Sequence, residues 1–93
     1  MKAIWRDEVI AESERTLEVH GYRYFPRESV RMELLKRAPK TQSDSACPHG
    51  VQFYDLSTEA ARSDRAAWSY EAPRAAMKEV DHWIGFWNDV HVE

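Results

Sequence analysis

A thiol beside an imidazole is the first chemistry the sequence offers. Cys47, the only cysteine, lies in the run Ser45-Ala46-Cys47-Pro48-His49-Gly50, where proline and glycine mark a tight turn. A thiol becomes nucleophilic when a nearby cation lowers its pKa, and His49 or Arg31 is of the type to supply that charge. The same cysteine also reads as a small hydrophobe buried ahead of a turn, the usual state of a free thiol. Metal chemistry has less to draw on. His20, His49, His82 and His91 are scattered and make no Cys-x-x-Cys or His-x-x-x-His pair, whereas a structural zinc needs a full tetrahedral set. No metal and no cofactor is expected.

Aromatic residues are the second resource, with four Trp, four Tyr and three Phe in 93 residues. Trp68 and Tyr70 share a face if Arg65 to Tyr70 is a strand, Trp83 and Trp87 share another, and Tyr22, Tyr24 and Tyr54 can approach either. An aromatic-lined pocket stacks planar rings or holds cations, and Arg31 fixed among such rings would suit a carboxylate or phosphate. A short chain also needs rings to fill its core, and Trp5, Trp83 and Trp87 read that way. Other chemistries lack their marks. There is no Gly-rich phosphate loop, no Gly-x-Ser-x-Gly, and no close acidic pair in a strand context suited to two-metal phosphoryl transfer, since Asp55, Asp81 and Asp89 stand alone.

The elements that position these residues are mostly strands. Period-2 alternation predicts an N-terminal hairpin turning at Asp7-Glu8, and a further stretch from Thr16 to Tyr24 with Gly21 as bulge or turn. Pro26 suits the first turn of a short helical segment through Ser29. Val30 to Arg37 fits both periods, and its Met, Glu, Leu and Lys favour helix. Ala38 to Ser45 reads as loop, Val51 to Leu56 as strand, Ser57 to Asp64 as a polar connection, and Arg65 to Tyr70 as strand. Pro73 opens a short helix through Val80. His82 to Trp87, apolar on both faces, reads as an interior strand, with a terminal strand at Val90 to Glu93.

Charge and length narrow the partners. Thirteen Lys and Arg against sixteen Asp and Glu leave a net charge of −3, which argues against nucleic acid as a bulk electrostatic partner. Arg23, Arg27, Arg31, Lys36, Arg37 and Lys40 make a local basic patch, but Glu28 and Glu33 interleave it and it reads as a solvated face. The length fits one domain over residues 1–93. The longest apolar run, Trp83 to Trp87, is far too short to cross a membrane. The N-terminal residues lack the apolar stretch of a signal peptide, and one cysteine cannot form an internal disulfide. A cytoplasmic protein with no membrane partner is expected.

These segments in this order resemble a known family. Ala3-x-Trp5 with Val9 to Ser13, Tyr24-Phe25-Pro26 with Glu28-x-Val30-Arg31 and Glu33-Leu34-Leu35, Cys47-Pro48 with Gly50, Phe53-Tyr54-Asp55, Ala66-Ala67-Trp68-x-Tyr70 with Pro73, and Trp83 to Trp87 with Val90-x-Val92-Glu93 are similar to domain-of-unknown-function family four hundred and twenty-seven. The resemblance runs nearly end to end. It implies a mainly β, β-tent fold, two antiparallel sheets meeting at an angle with one or two short helices, and makes Val30 to Lys36 strand rather than helix. Many β-tent relatives hold a zinc on two Cys-x-x-Cys pairs, which this sequence lacks. Relatives use the cleft between sheets for ligands, some through an aromatic cage and one through a catalytic thiol. The family's label of nucleotidyltransferase domain finds no support in these residues. This chain also departs from the family around Cys47-Pro48, where only His49 stands in place of an aromatic residue and a lysine.

Three functions are carried forward. The first is binding of a small planar or anionic ligand in an inter-sheet cleft by Arg31, Trp68, Tyr70 and Tyr24. The second is a thiol-dependent enzyme with Cys47 as nucleophile and His49 as its base or electrostatic partner. The third is a protein-interaction module without a ligand, associating through the edge strand near Val90 to Glu93 or through an exposed aromatic patch, with a homodimer as one version.

Overall fold

Alternation and turn chemistry lay down the strands. In the computed structural model, which describes residues 1–93, Lys2–Trp5 (β1) and Glu8–Glu12 (β2) form the expected hairpin. Its turn is Arg6-Asp7, one residue earlier than the sequence suggests, with φ of 51° and 65°, the left-handed pair that matches a two-residue loop to the strand twist. Leu17–Val19 (β3) and Tyr22–Phe25 (β4) form a second hairpin. Its turn, His20-Gly21, repeats that geometry at 51° and 85°. Pro26 then leads into a 3-10 turn over Arg27–Ser29.

The next two segments depart from expectation. Val30 to Arg37 is neither one helix nor one strand: Met32–Leu34 is a 3-10 turn and only Leu35–Arg37 (β5) is strand. A short helix, Gln42–Ala46 (α1), stands where the sequence reads as loop. Five residues are too few to hold a helix by propensity, so its ends must be fixed from outside. The Asp44 N–H donates to Thr41 Oγ1 at 3.1 Å, and Asp44 Oδ2 accepts from the Thr41 N–H at 3.0 Å, a reciprocal cap. Arg65 then grips both oxygens of the buried Asp44 at 2.8 and 3.0 Å. That grip, helped by the Thr41 bonds, holds the Asp44 carboxyl down at about 2.

Val51–Ser57 (β6), Arg62–Tyr70 (β7), Ile84–Phe86 (β8) and His91–Val92 (β9) complete the strands. A 3-10 turn over Ala75–Val80 takes the place of the expected short helix. The strands form two antiparallel sheets, β2-β1-β9 and β3-β4-β8-β7-β6-β5, the mainly β, two-sheet arrangement with short helices that the sequence implies. β8 lies between β4 and β7 and is buried at every position, hence its unbroken apolar run. No helix is long and apolar enough to cross a membrane.

One face of the large sheet packs on the small sheet. Trp5 and Ile10 meet Phe25, Leu56 and Ile84 there in the main core, and those fully buried side chains are the chief apolar stabilisation. The opposite face carries a smaller cluster of Tyr24, Val51, Trp68, Met77 and Val80. Its last two members come from the 75–80 turn, which covers part of that face. Between β6 and β7 the register jumps, Tyr54 facing Ala67 but Leu56 facing Ser63, and the extra residues bulge outward with Arg65 at φ 55°. Buried Asp55 fills the bulge, accepting from the Arg65 N–H at 2.9 Å and from Arg62 at 2.8 Å.

The Asp44–Arg65 pair gives acid stability a definite form. Its carboxyl titrates near 3.8 in the unfolded chain and about 2 in the folded one, so its contribution is complete above the unfolded value and lost as pH falls between the two. Asp44→Asn is expected to cost about 2 kcal/mol at neutral pH, with the gap to the parent narrowing as pH falls towards 2 in denaturant titrations. A gap that stays constant across that range contradicts the assignment.

Candidate functional site

Four adjacent strands place one residue each in a row on the outer face of the large sheet. Tyr24 of β4 faces Gly85 of β8, Gly85 faces Trp68 of β7, and Trp68 faces Phe53 of β6. Trp68 lies against Gly85 so closely that a Cβ at 85 would sit 2.7 Å from Cζ2 and 2.8 Å from Cε2 of the indole. The glycine therefore makes the space in which the ring lies. The Trp68 N–H donates to the Tyr24 hydroxyl at 3.3 Å. Burial, above all, raises the pKa of that hydroxyl, so Tyr24 stays neutral.

Other rings surround this floor. Tyr22 stands edge-on to Trp68 at 5.1 Å and 87°, Trp87 meets it at 5.2 Å and 64°, and Phe53 stacks on Trp87 at 5.8 Å and 26°. With Val51 and Tyr70 they line an open cavity of about 230 Å³. Tyr22 and Trp87 are its exposed rim, at 42% and 37%.

The wall is electrostatically quiet. No charged side chain lines it. Trp87 spends its N–H on the Arg65 carbonyl at 2.6 Å, just as Trp68 spends its own on Tyr24. Arg65 lies 4.0 Å from the Phe53 ring centre, but its guanidinium is bound to Asp44. An anion in the cavity would find no cation and no indole donor, whereas an apolar ring would find only complementary surface.

The residues singled out in the sequence fall in several places. Trp68 and Tyr70 line the cavity, and Tyr24 supports Trp68 from its edge. Arg31 lines neither cavity of the structure. It is exposed and ion-paired to Glu8 at 2.9 Å and Glu33 at 3.1 Å, while its N–H ties the chain to the Ile10 carbonyl. Cys47 is half-buried at the end of α1, packed against the Trp68 cluster. His49 packs on Tyr70 at 5.6 Å and accepts the Arg74 N–H at Nδ1 over 3.0 Å. No hydrogen bond joins its ring to the Cys47 thiol. The expected inter-sheet cleft is also corrected: the space between the sheets is filled by the main core, and no residue of the small sheet lines the aromatic cavity.

Trp87, expected in the core, is the largest site residue that sequence pattern misplaces. It follows β8 by one residue, so the apolar run carries past the last buried position onto the surface. Phe53 and Tyr22 were legible in principle from strand alternation, once the pairing of β6 with β7 and of β4 with β8 was known. Trp5 is core as expected, and Trp83 packs partly buried beside the second cluster.

Two polar constellations lie elsewhere. Glu71 accepts from the Tyr54 hydroxyl at 2.6 Å and Arg37 at 3.2 Å, with Arg27 at 3.6 Å. Burial alone would raise its carboxyl, but Tyr54 and the two arginines outweigh that and hold it low. A second cavity of about 240 Å³ includes Asp55, Arg62, Asp64 and Arg65 in its wall, and these charges are already paired with one another or with Asp44. The four arginines of the basic patch are likewise divided among Glu18, Glu71, Glu8 and Glu33, and Lys40 donates to the Val51 carbonyl at 2.9 Å.

Fold and cavity define a mainly β protein of two antiparallel sheets with an aromatic pocket on its outer face. The domain of unknown function DUF427, also named NTP_transf_9, matches residues 1–93, and the chain belongs to that family. No curated protein matches it.

Gly85→Ala tests the floor of the site. The added methyl must displace the indole, at a cost of about 1–3 kcal/mol typical of overpacking, and near-ultraviolet circular dichroism should change with it. An unchanged aromatic spectrum with unchanged stability contradicts the Trp68–Gly85 contact.

Proposed function

We propose that this protein binds a small molecule in the aromatic cavity on the outer face of its large sheet, seated against Trp68 and Tyr70. The observation that supports this reading is a cavity walled wholly by apolar and aromatic side chains, with two large rings, Tyr22 and Trp87, left exposed at its mouth. Exposed rings cost solvation and packing that a monomeric surface would otherwise recover, and a ligand recovers both.

Of the ligand types raised by the sequence, a planar ring is favoured over an anion. Both indole N–H groups are committed to protein acceptors, and Arg31 stands apart with its own carboxylate partners. The volume suits one ring system, below the roughly 300–1,000 Å³ of sites for drug-sized ligands. Tyr24 serves the site indirectly, by fixing the plane of Trp68. The thiol reading gains no support, because the His49 Nδ1 lone pair is taken by the Arg74 amide.

Titration of the 15N-labelled protein with benzyl alcohol and indole should shift amide signals around Tyr22, Phe53, Trp68, Tyr70 and Trp87. Trp87→Ala and Tyr22→Ala, at exposed positions, should each weaken binding about tenfold, the loss of a 1–1.5 kcal/mol ring contact, while Arg31→Ala leaves it unchanged. Shifts centred elsewhere, or full affinity in both rim variants, contradict the proposal.

A further inference from the structure

The steep angles between the cavity rings also admit a guest that is not flat. Tyr22 stands at 87° and Trp87 at 64° to Trp68, while Phe53 lies nearly parallel to Trp87. Rings that meet this way leave no single flat slot. An open cavity walled by non-parallel rings suits a rounded group that touches several of them at once.

The polar inventory selects the charge of that group. A ligand with N–H donors or carbonyl acceptors needs partners, and the wall offers only the tyrosine hydroxyls at 22 and 70. Buried polar groups left unpaired cost on the order of 1–3 kcal/mol each. A quaternary ammonium has no N–H to satisfy, carries its charge outward over methyl groups, and is drawn to the negative faces of indole and phenol rings. No lysine or arginine lines the cavity to repel it. The one cation near by, Arg65 over Phe53, is offset by the two-oxygen grip of Asp44, and the protein as a whole carries a net charge of −3.

We propose that the cavity formed by Tyr22, Phe53, Trp68, Tyr70 and Trp87 is a cation cage whose ligand class is a quaternary or fully methylated ammonium. This rests on the small-molecule reading of the same site. The charge of the ligand meets the π faces, Val51 completes the apolar wall, and Tyr22 and Trp87 close over the methyl groups from the exposed rim. Gly85 and Tyr24 act as positioning residues, setting the depth and plane of Trp68.

The test compares a cation with its neutral twin. Choline and 3,3-dimethylbutan-1-ol share shape and size and differ in charge, so tryptophan fluorescence titrations with each isolate the electrostatic part. Choline should bind at least about tenfold more tightly, the equivalent of about 1.4 kcal/mol and within the range of a desolvated cation–π contact. Tyr22→Leu should weaken choline binding and Tyr22→Phe should restore it, since the ring face and not the hydroxyl is used. Equal affinity for the two alcohols overturns the cage. Benzyl alcohol separates the two levels: if it binds while choline does not, the cage fails and the small-molecule site stands. If none of the three binds, both fail.

Discussion

An indole laid against a glycine is the contact on which the outer face depends. β8 is the only strand pairing both β4 and β7, and its middle residue faces the side away from the small sheet. A side chain there would stand where Trp68 now lies. With glycine in place, one ring extends across the neighbouring strand and touches Tyr24, Tyr22, Phe53 and Trp87 in turn. Sheet registry thus becomes a continuous aromatic surface, and strands far apart in sequence are brought to one place by the breadth of one side chain.

A bulge supplies the second constraint. Arg65 leaves the regular ladder with its backbone in the left-handed region, and each of its groups finds a use. Its N–H goes to Asp55, its carbonyl to Trp87, and its guanidinium to Asp44 while covering Phe53. One residue therefore joins the helix cap at Thr41 to two walls of the cavity. The same bonds keep charge out of the pocket, because the cation nearest to it is held outside and paired. Glu71, Tyr54, Arg27 and Arg37 do comparable work on the opposite face, where a carboxylate that burial would neutralise is kept ionised by its neighbours.

Local signals in the sequence carried much of this architecture. Period-2 alternation located the first hairpin, Gly21, read as bulge or turn, falls at the turn of the second, and the two-sided apolar run at His82 to Trp87 announced an interior strand whose paired part is Ile84–Phe86. Short segments fixed by distant partners were less legible. α1 is held by Asp44, whose Thr41-x-x-Asp44 spacing is a capping signal, but Pro39 and the polar run around it read as loop. Val30 to Arg37 satisfied two periods because it is in fact two elements. At the cavity, Trp68 and Tyr70 in the wall, and Tyr24 bonded to Trp68, are residues that type and spacing single out in the sequence. Trp87 was not, because nothing local says that the apolar run outlasts the buried strand. Of the two carboxylates that occupy Arg31, Glu33 is two residues on, but Glu8 is 23 residues away in sequence and only the fold brings it there.

The four tryptophans allow the central claim, a ligand site on the outer face and not in the main core, to be read directly. Trp68 and Trp87 wall the cavity, whereas Trp5 is buried in the main core with its N–H on Asp89. Fluorine resonances of the protein labelled with 5-fluorotryptophan, assigned by single Trp→Phe substitutions, would be followed during titration with a cavity ligand. The account predicts saturable shifts at Trp68 and Trp87 with Trp5 unmoved. A shift at Trp5 equal to theirs, or saturation that leaves Trp68 and Trp87 in place, would contradict it.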